Sequence, residues 1–174
     1  RIPRKNIRDF KGRPIIAFSI ETALYSGLFS MVVVSTDDDE IALVSYKLGA
    51  AVVWRAPDDG TRGTQEVAGD VLRKMPGIDQ ACVVYATAPL LLVDDLKAGK
   101  AALSRDKRFA FGVGTTPLAD AGAFYWGAAA AFGAEPLLGP ETALVPLPPE
   151  RVCDINVEAD WKRAETMYDA LRAR

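Results

Sequence analysis

Short apolar runs alternate with amphipathic segments along the whole chain, and this alternation restricts the fold more than any single motif does. Over 14–28, Ile16, Ile20, Ala23 and Leu24 fall on one helical face, with Pro14 in the expected first turn. The run 31–34 is continuously apolar, as in a strand buried on both faces. A helix over 38–48 follows, closed by Gly49, and then a strand over 51–54. The spacing next predicts a helix over 66–74, stopped near Pro76 and Gly77, and a Val-rich strand over 81–85. A helix over 94–104 carries Asp94 and Asp95 at its positive end. Strands over 109–113 and 123–126, a short helix over 128–132 and a short strand over 152–154 lead to a closing helix over 158–172. The stretch 133–151, crowded with Pro and Gly, reads as loop. Alternation of this kind builds a mostly parallel sheet with helices on both faces.

The 174 residues suit one domain, and 49% apolar residues suffice for a continuous core. A formal charge of −2 offers no electrostatic case for binding nucleic acid. No apolar run reaches the roughly 18 residues of a membrane span. The opening Arg1-Ile2-Pro3-Arg4-Lys5 has no apolar segment behind it, so no secretory signal is expected and the expected location is cytoplasmic. Cys82 and Cys153 lie far apart within apolar stretches, as reduced core residues do. Histidine is absent, which excludes an imidazole base, a Ser-His-Asp triad and a histidine-bound zinc.

In sheets of this type ligands bind beyond the carboxyl ends of the strands. The polar residues there are Thr36 and Asp37, Arg55 with the loop to Thr64, Thr87, and Asp154 with Asn156. The basic segment over 1–8 is either a frayed terminus or a phosphate grip, with Lys5 as a point charge. Asp38, Asp39 and Glu40 complement a helix dipole and need no other purpose. Asp37 at the strand end is open to a second reading, the Mg²⁺ cluster of a receiver domain. That reading wants a phosphorylatable Asp on a central strand, which Tyr85-Ala86-Thr87-Ala88-Pro89 does not supply. The loop 58–64 is an exposed connection or a substrate loop. Asp154 and Asn156 lie on one side of an extended segment, because strand side chains alternate. They are either a helix-entry cap or two oxygen ligands for a hard cation shared with substrate phosphates.

The strings RIPRKNI, VVVSTDDDEIA, YATAP, DAGAFYWG and DINVEADWKRAE occur in that order. Together they resemble the acylneuraminate cytidylyltransferase family, which includes the CMP-sialic acid synthetases, and YATAP with AGAFYWG looks closest to its pseudaminic acid branch. The resemblance implies a three-layer, Rossmann-like α/β nucleotidyltransferase fold with a mostly parallel sheet, and commonly a homodimer. It implies CMP transfer from CTP to a nine-carbon, sialic-acid-like 2-keto sugar acid, with Mg²⁺ and release of pyrophosphate, for surface glycan or flagellin glycosylation. On the family pattern Lys5 and Asn6 sit at the CTP phosphates, and Arg55 and Thr64 border the nucleotide. Tyr85 lies between nucleotide and sugar, Tyr125 shapes the sugar pocket, and Asp154 and Asn156 hold the metal, with Lys5 and Asp154 as catalytic residues. Transfer of this kind rests on alignment and charge neutralisation rather than on a covalent protein intermediate.

Three departures accompany the resemblance. The family begins with a strand and a Gly/Ser-rich phosphate loop before RIPRKN, which residues 1–174 do not contain. It carries a longer segment near 116–119, and it has a second acid where Asn156 stands. A sheet without its central first strand would leave backbone groups unpaired at a buried position. Two alternatives stay open at this point: a nucleotidyltransferase for 3-deoxy-octulosonic acid, and a non-catalytic nucleotide-binding or dimerisation module.

Overall fold

A tight antiparallel hairpin, β1 (Asp9–Phe10) and β2 (Arg13–Pro14), leads into α1 (Ile16–Tyr25) in the computed structural model. The structure describes residues 2–57, 62–103, 109–115, 118–134 and 136–173. Lys11 and Gly12 turn the hairpin with φ of 53° and 84°. Their turn draws Pro14 into extended pairing, so the helix starts at Ile16 rather than at Pro14 as expected. β3 (Val33–Thr36), α2 (Asp39–Lys47) and β4 (Ala51–Trp54) form a right-sized βαβ unit with the two strands parallel. Asp38 caps α2, its carboxylate accepting from the backbone N–H of Glu40 and Ile41 at 2.9 Å each. Those bonds, the one from Ile41 foremost, hold its carboxyl below the usual range.

The second half is a four-stranded sheet. α3 (Thr64–Arg73) precedes β5 (Gln80–Val84), and α4 (Val93–Ala102) precedes β6 (Phe109–Thr115) and β7 (Leu118–Ala128). β8 (Thr142–Leu147) and α5 (Glu158–Arg172) complete the chain. The strand order is β5-β7-β6-β8, with β7 antiparallel to both neighbours and β8 parallel to β6. Three of the four strands therefore run one way. Only two residues separate β6 from β7, too few for a crossover, so β7 must return antiparallel. Those two, 116 and 117, lie outside the described residues, as do 58–61 of the expected substrate loop and Ser104 at the expected helix end.

Two expectations fail here. The stretch 133–151 contains β8 and a 3₁₀ turn, Pro149–Arg151, rather than loop alone. Pro146 is tolerated in β8 because that strand lies at the sheet edge, where one side of the backbone needs no ladder partner. Conversely, 152–154 is extended without a ladder.

Alternate residues of β6 and β7 feed two cores. On one face Ala110, Phe124 and Trp126 pack with Leu91 and with Leu96 of α4. Phe109, Phe111, Val113 and Tyr125 meet Ala68 and Leu72 of α3 on the other, which gives three layers. Gly99 permits the approach of α4, since a Cβ there would lie 2.4 Å from the Phe124 ring. A third core joins Phe10 and Phe18 edge-to-face with Tyr168 and docks α5 against the hairpin.

Between the two sheets lies a gap. Among the described residues β3 pairs only with β4 and β5 only with β7, so each presents an unpaired edge. Both edges line one cavity of about 450 Å³, with Ile16, Ile20 and Trp126 in its walls. Val33, Val34, Val83 and Val84 are consequently half-buried, where the apolar runs predict strands covered on both faces.

Candidate active site

The amino-terminal segment is ordered by its cations. Ile2 is buried, and Lys5–Ile7 forms a 3₁₀ turn entered through Arg4 at φ 48°. Arg4 pairs with Asp38 at 3.2 Å and Glu40 at 2.5 Å, and Arg8 pairs with Glu158 while its guanidinium lies over the Trp161 ring. The frayed-terminus reading is therefore wrong for Arg4 and Arg8, which fasten the segment to the starts of α2 and α5. Lys5 points elsewhere. Its Nζ donates to the carbonyl of Ile155 at 2.6 Å, between Asp154 and Asn156.

Asp154 and Asn156 do share one side of their segment, the Asn156 amide donating to Asp154 Oδ2 at 2.7 Å. The cap of α5 is a different residue. Asp160 accepts from the backbone N–H of Asn156 and Val157 at 3.0 Å each, bonds that hold its carboxyl low. Asp154 is thus not used as the helix-entry cap. Its side chain packs against Gly122, whose φ is +61° and whose added Cβ would lie 3.0 Å from Asp154 Oδ1. Among the described residues no three acidic or cysteine side chains gather as a metal cage. With the Asn156 amide turned to present its oxygen, a hard cation here would take Asp154 and that oxygen from the protein and the rest of its shell from phosphates and water, which suits Mg²⁺.

Tyr85 follows β5 and is held by its backbone. Its N–H donates to Ala123 O at 2.9 Å, and its carbonyl accepts from the buried Ser19 hydroxyl at 2.8 Å. The ring stands edge-on to Tyr125 of β7 at 6.1 Å, and the Thr64 side chain hydrogen-bonds with both phenols. Burial, then the Asp120 charge, pushes the Tyr85 phenol up to about 12, and burial raises Tyr125 further. Both phenols are protonated donors throughout the neutral range. Thr64 bridges to the cavity mouth, which Asn6, Thr36, Asp37 and Arg55 also line. Asp37, the residue with an open receiver-type reading, holds Arg55 at 2.8 Å across the ends of β3 and β4.

Sequence reasoning gave Asp120 no role. Tyr85 donates to its Oδ2 at 3.4 Å, and its Oδ1 accepts from Gly122 N–H at 2.7 Å. Its carboxyl is raised, first by burial and then by the nearby Asp154 charge. The Asp-Ala-Gly spacing of a side-chain-closed turn was the available signal.

Lys5, Thr64, Tyr85, Tyr125, Asp154 and Asn156 thus gather with their neighbours near the ends of parallel strands, where a three-layer α/β domain of the nucleotidyltransferase class handles its nucleotide. The family profile described as cytidylyltransferase matches residues 1–118. The pseudaminic acid cytidylyltransferase of Campylobacter jejuni subsp. jejuni serotype O:2 is 35% identical over 210 residues, covering 97% of this chain and 90% of that relative. A CMP:2-keto-3-deoxy-manno-octonic acid synthetase solved with CTP shares the fold with a TM-score of 0.75 at 12% identity, covering 98% of this chain and 94% of the other. The 4-diphosphocytidyl-2C-methyl-D-erythritol synthase of Anaerococcus prevotii does so with a TM-score of 0.72 at 10% identity, covering 98% and 93%. The chain belongs to the cytidylyltransferase family, and it is a CTP-dependent nucleotidyltransferase.

Proposed function

We propose that this protein transfers CMP from CTP to a nine-carbon acidic 2-keto sugar of the pseudaminic acid type, releasing pyrophosphate. The observation that carries this reading is the 35% identity to a pseudaminic acid cytidylyltransferase over 97% of the chain. The sugar's anomeric hydroxyl attacks the α-phosphorus of CTP, a P–O bond forms, and the bond to pyrophosphate breaks. Lys5 and Asn6 take the phosphates, Lys5 swinging an ammonium with three donors from the Ile155 carbonyl. Arg55, oriented by Asp37, and Thr64 border the nucleotide. Tyr85 and Tyr125 form the wall between nucleotide and sugar. Asp154 and Asn156 would hold Mg²⁺, which when bound neutralises phosphate charge. The protein works as a cytoplasmic homodimer in the making of surface glycan or flagellin precursors.

CTP with Mg²⁺ should raise the melting temperature well above the effect of ATP with Mg²⁺, because the family pattern implies a small pyrimidine pocket near Arg55 and Thr64, both of which line the cavity. Thermal-shift titration with both nucleotides tests this, and equal stabilisation by the two contradicts the cytidine preference.

The domain also accommodates one more element. The gap between β3 and β5 has the features of a slot for one apolar strand, whose backbone would pair with both open edges and make the two sheets one. Asn6 stands at the end of the slot where β3 leads into α2, beside Thr36 and Asp37, as a strand parallel to β3 that ran on into the Lys5–Ile7 turn would require. An extended apolar segment of about six residues, joined ahead of Arg1 through a Gly/Ser loop, should raise the melting temperature. It should also slow hydrogen exchange at Val33, Val34, Val83 and Val84. Unchanged exchange at those amides would mean that the gap takes no strand.

A further inference from the structure

The carboxylate of Asp120 is the acidic group of the site for which neither the family resemblance nor the proposed reaction has a use. One oxygen is committed to the turn: Oδ1 accepts from Gly122 N–H at 2.7 Å. The other, Oδ2, receives among the described residues only the Tyr85 hydroxyl, at 3.4 Å against the roughly 2.7 Å of a strong O–H···O bond. A carboxylate oxygen has two acceptor positions, so Oδ2 keeps capacity for at least one further donor. Nor, among the described residues, does a cation answer it: those acting on Asp120 are Gly122, Tyr85 and Asp154, and the last repels it.

Its position gives that spare capacity a direction. Asp120 is exposed at the end of β7, and Tyr85, which donates to it, packs edge-on against Tyr125. Asp154, on the other side of Gly122, is the carboxylate given to the metal in the proposed reaction, which leaves Asp120 to face the ligand. A ligand group entering between the Tyr85 hydroxyl and Asp120 meets an acceptor that prefers O–H or N–H and a carboxylate that repels another acid. The carboxylate of an acidic sugar is therefore turned away from this side, and a hydroxyl or acylamino N–H is turned toward it.

We propose that Asp120 is a specificity-determining residue that accepts a hydrogen bond from a hydroxyl or acylamino N–H of the acceptor sugar and so fixes which way round that sugar lies. The proposal rests on the cytidylyltransferase reading above. Asp120→Asn is the informative change, since its carbonyl oxygen still closes the turn on Gly122 while an amide replaces the accepting Oδ2. Asp120→Ser, whose hydroxyl can close the same turn, removes the charge by a second route.

Steady-state kinetics of pyrophosphate release, with CTP, Mg²⁺ and pseudaminic acid varied in turn, tests it. Both variants should raise KM for pseudaminic acid by about tenfold or more, the worth of a hydrogen bond to a charged acceptor, and leave KM for CTP within about twofold. If both variants keep the wild-type KM for the sugar, or if KM for CTP rises in parallel, Asp120 only closes a turn and the proposal is overturned. Should the wild-type protein release no pyrophosphate with this sugar, the functional reading itself fails. That result is distinct from an active wild type with silent Asp120 variants.

Discussion

Asp154→Asn should lower turnover by about 100-fold or more, measured as pyrophosphate release from CTP and pseudaminic acid at saturating Mg²⁺. The change is isosteric, so the contact with Gly122 survives and only the charge is lost. An amide brings a dipole to a divalent ion where a carboxylate brings a full charge. Asn156 already contributes only an amide, so Asp154 is the sole carboxylate of the pair, and nothing in the pair replaces it. The reverse change makes the companion test. Asn156→Asp should lower the Mg²⁺ concentration for half-maximal turnover, because the second charge tightens the site. A wild-type rate in Asp154→Asn would reduce Asp154 to a packing partner of Gly122 and remove the metal from this position.

How much of this was readable in the residues depended on whether a feature was local. The helix over 158–172 and the strand over 51–54 stand where periodicity placed them, since each signal lies within its own segment. β8 was missed because Pro146 within it, and Gly139, Pro140, Pro148 and Pro149 around it, match loop composition. What makes it a strand is the edge of β6, a partner some thirty residues earlier in the chain. The burial of β3 and β5 was overestimated for the same reason. An apolar run states what a strand can bury, and the neighbours decide what it does bury.

The site followed the same division. Asp154 and Asn156 share a side because extended backbone dictates it, and that was legible at two-residue spacing. The meeting of Thr64 with Tyr85 and Tyr125 is not written in any spacing, and only the family pattern had grouped them. Asp120 escaped because a turn-closing aspartate and a ligand-binding one have the same sequence signature. Arg4 and Arg8 were misjudged in the opposite direction. Their carboxylate partners lie 34 and 150 positions away, so their charge looked spare and is in fact used to hold the terminus down.

The site also depends on an ion pair that lies outside it. Asp95, in the first turn of α4, is buried, and Arg151 grips both of its oxygens, with Nη2 at 2.9 Å from Oδ1. Asp95 Oδ2 accepts in addition from Leu92 N–H at 2.9 Å, so the same carboxylate caps α4. Arg151 ends the 3₁₀ turn that precedes Cys153, Asp154 and Asn156, and the pair therefore ties the segment carrying Asp154 and Asn156 to α4. Arg151→Met keeps much of the side-chain volume and leaves a buried carboxylate without its counter-charge, at a cost of about 3–5 kcal/mol. For a chain of this length that corresponds to a fall of roughly 10 °C in melting temperature, read by calorimetry or circular dichroism. Adding Asp95→Asn should restore more than half of the loss, because a neutral amide oxygen can still accept from Leu92 and no longer demands a cation. Recovery separates a missing charge partner from a simple packing defect, which the second substitution would leave unrepaired. Melting within about 2 °C of the parent in Arg151→Met alone would mean that water reaches Asp95 and that the ion pair does not anchor the site.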